Sequence, residues 1–195
     1  MPSFYENHRD DMERACAWYA RDDHCPPHFH KSVEVVYVLE GVLSAVLDGE
    51  EIEVRAGQVL INSSFVIHKY ETKRASRAII GIIPLSLTPG VQLALSRKTF
   101  RHPIYIEEPG RREICALLHL LARYGGAGPA ASAYCNGLGQ AVLALLIERV
   151  GLAQSHRSER TRWVREVLNY LEANYAAKVT VEAAAAQFGY SKSRF

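Results

Sequence analysis

The chain has 195 residues, 48% hydrophobic and 23% charged, with 23 Lys plus Arg against 21 Asp plus Glu. That balance excludes a disordered or fibrous protein, and a chain this long buries enough surface to fold without disulfides or metal. The net charge of +2 hides a split: residues 1–90 carry 9 basic and 13 acidic side chains, and residues 91–195 carry 14 and 8. A basic rear half points either to polyanion contact there or simply to a solvated helical surface rich in Arg.

The N-terminal residues 1–8 (MPSFYENH) are polar and lack the apolar core of a secretion signal. Residues 12–20 read as an opening strand. Residues 33–39 (VEVVYVL) are rich in β-branched side chains and form a strand that Gly41 breaks; residues 42–47 form the next. Asp48-Gly49 is a hairpin turn, because both positions tolerate positive φ. Residues 51–54 alternate as a half-exposed strand does, Ala56-Gly57 turns, and strands follow over 59–61, 68–72 and 77–83. Many short strands between glycine turns imply a sandwich or barrel.

The rear half changes period. Ile114, Leu117, Leu118 and Leu121 form one helical stripe ended by Gly125-Gly126, and residues 127–131 are a small flexible turn. Leu138, Val142, Leu145 and Leu146 mark a second helix over 132–150, ending near Gly151. Its richest apolar run, 138–147, is shorter than the roughly 18 residues a membrane span needs, so no membrane partner is expected. These two antiparallel helices either cover the barrel or pair with a second copy. Residues 153–160 are a polar linker. A third helix runs over 161–174 with Val164, Val167, Leu168 and Leu171 on one face. Thr180 caps a short helix over 181–188, Gly189 ends it, and Ser191 opens another, with basic Lys192 and Arg194 following. Helix, glycine turn, helix is the helix-turn-helix order, although a plain helical hairpin has it too.

The chemistry concentrates at residues 26–34 (PPHFHKSVE). His28, His30 and Glu34 share parity, so an extended strand points all three to one face, the face that also carries Val36 and Val38. His68 follows a turn and strand later. Three His and one Glu can coordinate a divalent metal (Zn, Mn, Fe or Ni) with positions left open, or can hydrogen-bond a small ligand or one another. Trp18, Arg21 and Tyr70 are candidate ligand-lining residues. His24 sits at the rim; His8, His102, His119 and His156 have no partner pattern. Cys16, Cys25, Cys115 and Cys135 lack Cys-x-x-Cys spacing and read as reduced core thiols, with the cytoplasm as the expected compartment.

The spacing His28-x-His30, three residues, Glu34, six residues, Gly41, with Gly57 and His68 eleven apart, resembles the two motifs of the cupin family. Ser63 and Ser64 stand where that family usually has a proline. The resemblance implies a jelly-roll barrel with His28, His30, Glu34 and His68 facing inward. The rear half extends it: Ala185 lies four before Gly189, Ser191 two after it, and Phe195 beyond. With the order of parts, this resembles the AraC-type transcriptional regulators, in which a cupin-like effector domain and a helical dimerisation hairpin precede two helix-turn-helix units. The implied organisation is a sensory barrel over 1–90, a helical connector over 91–152, a linker over 153–160 and an incomplete helix-turn-helix domain over 161–195. Ser191, Lys192, Ser193 and Arg194 then occupy DNA-contact positions. The chain stops at Phe195, so it is expected to be truncated, with DNA contact weak or absent. A small-molecule effector and a second copy of the chain, joined through the helical hairpin, are the expected partners. The alternative is a metal-dependent cupin enzyme of dioxygenase or isomerase type, whose substrate would be a small organic molecule.

Overall fold

The computed structural model describes residues 3–154, 159–177 and 179–194. The chain divides into two compact units, Met1–Ser155 and His156–Phe195. Among its described residues the first holds eleven strands: β1 (Phe4–Tyr5), β2 (Cys16–Arg21), β3 (His24–Phe29), β4 (Val33–Leu47), β5 (Glu50–Arg55), β6 (Val59–Asn62), β7 (His68–Glu71), β8 (Ser76–Ile83), β9 (Lys98–Phe100), β10 (Ile104–Tyr105) and β11 (Leu152–Gln154). Helices α1 (Gln92–Arg97), α2 (Gly110–Arg123) and α3 (Pro129–Val150) complete it.

The barrel is organised by β4. The break expected at Gly41 is a bend, and the strand continues through it. Before the bend, β4 pairs with β6 and β8, and β2 and β10 extend that sheet on its two sides. After the bend, β4 pairs with β5 and β7, and the second sheet continues through β3 to β1. Gly41 has φ +76, and a Cβ there would lie 1.9 Å from the Ala75 carbonyl oxygen. Only glycine permits both the conformation and the approach. One strand therefore serves two sheets and closes them face to face.

Alternation along β4 fixes both faces. Val36 and Val38 point inward and join Leu43, Ala45, Val54, Leu60, Tyr70 and Ile80 in the barrel core. Val33 and Val35 point outward and are equally buried, because α2 and α3 cover that sheet. A sheet covered on both sides explains the unbroken apolar run that the sequence showed. Ile114, Leu118 and Leu121 of α2 and Cys135, Val142, Leu143 and Leu146 of α3 pack against Ile79, Ile83 and Val59. Gly81 on β8 and Gly139 on α3 allow this closeness: Cβ atoms there would meet Leu118 at 2.7 Å and Ala15 at 2.9 Å. The helices thus lie on the barrel. The α3 helix is long and apolar enough to cross a membrane, but its Val142, Leu143 and Leu146 are spent on this interface.

Other boundaries move for identifiable reasons. The opening strand begins at Cys16 rather than residue 12, since Ala15 is held by its amide donating to Asn136 Oδ1 at 2.9 Å. The supposed turn at 127–131 already contains α3, whose first residue is Pro129 after Gly128 at φ +80. Residues 91–105, unassigned in the sequence, supply α1, β9 and β10. Of the expected linker over 153–160, residues 153–154 pair with β9, 155–158 lie outside the described residues and 159–160 belong to the next helix.

In the second unit, α4 (Glu159–Asn174) and α5 (Val181–Gln187) pack through aromatic edges, Trp163 and Tyr170 against Phe188 and Trp163 against Tyr190. Thr180 caps α5 by accepting from the Ala183 amide at 3.2 Å, and Gly189 at φ +73 ends it, as the spacing implied. Residues 191–194 form a turn rather than a helix, closed by the Arg194 amide donating to the Ser191 carbonyl at 3.0 Å.

Candidate metal centre

Four side chains meet inside the barrel. His28 lies one residue before the end of β3, His30 lies in the following loop, Glu34 is on the first half of β4, and His68 opens β7. One ligand atom from each lies within 4.8 Å of all the others, and the four residues are 6%, 2%, 4% and 1% exposed. Their convergence does not come from one extended strand. The chain turns at Lys31 and Ser32, whose amides donate to the Asp10 carboxylate at 2.9 Å, and this turn re-aims His30. His28 and His68 are instead direct cross-strand neighbours on β3 and β7.

All three imidazoles are oriented alike. His28 Nδ1 faces the Pro26 carbonyl at 2.9 Å, His30 Nδ1 the Ser32 carbonyl at 3.0 Å and His68 Nδ1 the Val66 carbonyl at 2.8 Å. A carbonyl only accepts, so each Nδ1 carries a proton and each Nε2 is free to present a lone pair. His30 Nε2 stands 3.4 Å from Glu34 Oε2, and His68 Nε2 stands 3.7 Å from Glu34 Oε1. Both nitrogens are buried and make no hydrogen bond. Ring nitrogens facing carboxylate oxygens in a dry site are satisfied by a proton on the ring or by a metal ion among them, and three imidazoles with one carboxylate are a donor set suited to a divalent transition metal. The residues present fit such an ion.

The outer partners are equally specific. The Tyr70 hydroxyl and Asn62 Nδ2 both donate to Glu34 Oε1, the latter at 3.2 Å, and Asn62 Nδ2 also reaches the Tyr70 oxygen. Burial by itself would raise the Glu34 pKa. The charge of His68 and the contacts of His30 and His68 outweigh it and hold the carboxyl well below its ordinary range. Burial, then the charge of Glu34, push the Tyr70 phenol well above 10, so Tyr70 remains a donor. Burial and His68 lower His28; at His68 burial pulls down, but the Glu34 charge, the Glu34 contact and the Val66 carbonyl together outweigh it and raise the ring.

The lining candidates separate. Tyr70 is in the site as the partner of Glu34. Trp18 is half-buried against the inner core, with the Arg9 guanidinium 5.0 Å above its ring. Arg21 is a correction: it is exposed and three residues from Trp18, on the outward parity of β2 shared with Ala17 and Tyr19. His24, His8 and His102 are exposed; His119 faces the Tyr19 hydroxyl at 2.8 Å, and His156 lies outside the described residues. The four cysteines are free. Ser191, Lys192, Ser193 and Arg194 are all exposed, with Lys192 paired to Glu182 and Arg194 near the Tyr190 ring. Sequence reading missed Asn62, Glu6 and Asp10. Only Asn62 carried a signal, since it shares the inward parity of Leu60 on β6.

The cupin domain family matches residues 19–80. The barrel has the cupin fold. The AraC-like transcriptional activator CuxR is similar at TM-score 0.55 and 12% identity, over 85% of this chain and 59% of that one. This chain therefore spans about three-fifths of that structure's length, and the likeness reaches beyond the barrel. A putative ethanolamine utilization protein Q of Salmonella typhimurium LT2 is 23% identical at TM-score 0.34, over 40% of this chain and 63% of that one. A cupin-2 domain protein of Shewanella frigidimarina is 24% identical at TM-score 0.33, over 36% and 71%. No curated protein matches the chain.

Proposed function

We propose that this chain is the sensing part of an AraC-type transcriptional regulator, with a divalent metal held in the barrel by His28, His30, Glu34 and His68. The observation that carries the reading is the convergence of His30 Nε2 and His68 Nε2 on the Glu34 carboxylate, with a ligand atom of His28 within 4.8 Å of all three. The ion would supply a Lewis-acidic anchor for an oxygen- or nitrogen-bearing effector. The chain's own residues do the rest. Tyr70 and Asn62 fix the carboxylate, and three backbone carbonyls fix the rings.

The regulatory half of the reading is supported by the shared fold with an AraC-like activator and by the capped α5 and Gly189 turn. Ser191, Lys192, Ser193 and Arg194 would meet DNA phosphates, and the outward side of α2 and α3, with Leu120 and Tyr134 exposed, would meet a second copy. A cupin dioxygenase or isomerase would use the same ligands. It is distinguished by turnover, whereas a sensor changes only its assembly or DNA affinity when its effector binds.

The test is metal analysis of protein purified without added metal, beside Glu34→Gln. At least about half an equivalent of one divalent ion is expected in the wild-type chain and a clear loss in the variant. Less than about a tenth of an equivalent would count against a tight site. Sedimentation and gel-shift measurements then test the second copy and the DNA contact.

A further inference from the structure

A second carboxylate reaches the site from outside the four-residue set. Glu6 Oε2 lies 3.5 Å from His28 Nε2, and its side chain is 16% exposed. The segment that carries it is fastened on both sides. Phe4 and Tyr5 pair with His28 and Phe29 through β1, and the Glu6 amide donates to the Phe29 carbonyl at 2.9 Å. Four residues on, Asp10 accepts from the Lys31 and Ser32 amides and from the Tyr5 hydroxyl at 2.7 Å. The Phe4 ring stacks on His28 at 5.8 Å. Glu6 is thus placed against the imidazole by structure on either side of it.

The contact repeats the pattern within the cluster. With its Nδ1 facing Pro26, His28 turns its Nε2 to a carboxylate, a contact that a ring proton or a metal ion between the two atoms makes favourable. Two donors bound about 2.1 Å from one ion at angles near 90–110° are roughly 3.0–3.5 Å apart. The spacing of 3.5 Å falls at the edge of that range, beside the 3.4 Å and 3.7 Å separations of Glu34 from His30 and His68. Arg9 Nε at 3.0 Å and His8 Nε2 at 3.6 Å hold the same carboxyl from the outer side.

We infer that Glu6 is a further metal ligand, so that the centre comprises three imidazoles and two carboxylates and the N-terminal segment closes onto the ion. This rests on the metal reading above. The second carboxylate gives the ligand set a charge of −2, which neutralises a divalent ion and makes the N-terminal segment part of whatever the ion controls.

The experiment titrates zinc into the full chain against a chromophoric chelator for wild type, Glu6→Gln, Glu34→Gln and Glu13→Gln, the last being an exposed acid outside the site. Hydrogen exchange of residues 3–10 is followed with and without zinc. The expected result is a dissociation constant raised at least fivefold in Glu6→Gln and unchanged in Glu13→Gln. Zinc should also slow exchange over 3–10 in wild type but not in Glu6→Gln. Wild-type binding with a smaller change in Glu6→Gln overturns the role of Glu6 and leaves the four-residue centre standing. No zinc uptake by wild type, or uptake indifferent to Glu34→Gln, overturns the metal reading and this inference with it.

Discussion

Replacing Tyr70 by phenylalanine removes one hydroxyl and little else, which makes it a sharp probe of the centre. Tyr70 is 2% exposed, and its ring packs among Val36, Leu43 and Ile80, so Tyr70→Phe leaves no cavity of side-chain size. What goes is the donor to Glu34 Oε1. A hydrogen bond to a charged group contributes about 1.5–3 kcal/mol. Asn62 remains on the same oxygen at 3.2 Å, so the carboxylate keeps one donor and the larger penalty of an unpaired buried charge is avoided. About 2 kcal/mol is the expected loss in chelator-treated protein. For a unit of this size that is roughly 4–8 °C in Tm. Because an outer partner also orients a ligating carboxylate, metal affinity should fall about 10–100-fold. Denaturant unfolding with and without chelator reads the first number, and competition against a chromophoric chelator reads the second. Tyr19→Phe, whose hydroxyl meets His119 at the surface, is the reference and should cost under about 0.5 kcal/mol. If Tyr70→Phe behaves like Tyr19→Phe in both assays, the phenol does not support the carboxylate and the argument fails.

Gly41→Ala should destabilise by more than about 2 kcal/mol, since left-handed strain of about 1–2 kcal/mol adds to a clash with the Ala75 backbone. Gly49→Ala, at φ +97 with open space around it, should show the strain alone, and equal losses in denaturation would mean the bend is not tight. Cys25, whose thiol burial pushes up to about 12 from 9.0, should react with iodoacetamide at pH 8 roughly a thousandfold more slowly in the native chain than in urea. The sign follows from the raised value. The stabilisation from holding that proton is complete below pH 9 and is lost as pH rises towards 12, so alkaline unfolding should steepen there. Peptide mapping that finds equal labelling with and without urea would contradict the burial. Asp10→Ala strips acceptors from the Lys31 and Ser32 amides and should cost about 1–3 kcal/mol, with faster exchange at those two amides as the check.

The barrel was legible because strand alternation and glycine turns are local, and Val33 to Val38 sort onto two faces by parity alone. The bend at Gly41 was visible as a break, but continuation through it was not. Whether a glycine ends a strand or turns it depends on what approaches, here the Ala75 carbonyl from 34 residues away. The four converging residues were readable from spacing, yet the reason offered for their convergence was incomplete. His30 reaches the site through a turn held by Asp10, a contact across 21 residues that no periodicity records. Arg21 stands three residues from Trp18, an offset that puts it on the opposite face of β2. Glu6 left no trace at all, since its role depends on a parallel pairing of β1 with β3.

One strand links the chemistry of the centre to the helices. Glu34 points into the barrel from β4, while Val33 and Val35 on either side of it point out into the layer that Leu118 and Leu143 occupy. Their neighbours on β8 carry the same division: Gly81 pairs with Val35, and a Cβ there would lie 2.7 Å from Leu118. Packing that close does not absorb displacement within the layer, because interiors at crystal-like density transmit strain. A shift of the β4 backbone at Glu34 of a few tenths of an ångström must therefore be met by α2, either by moving as a body or by resisting the shift. An ion or effector that drew on the Glu34 carboxylate would therefore act on α2 through one peptide unit and one buried side chain.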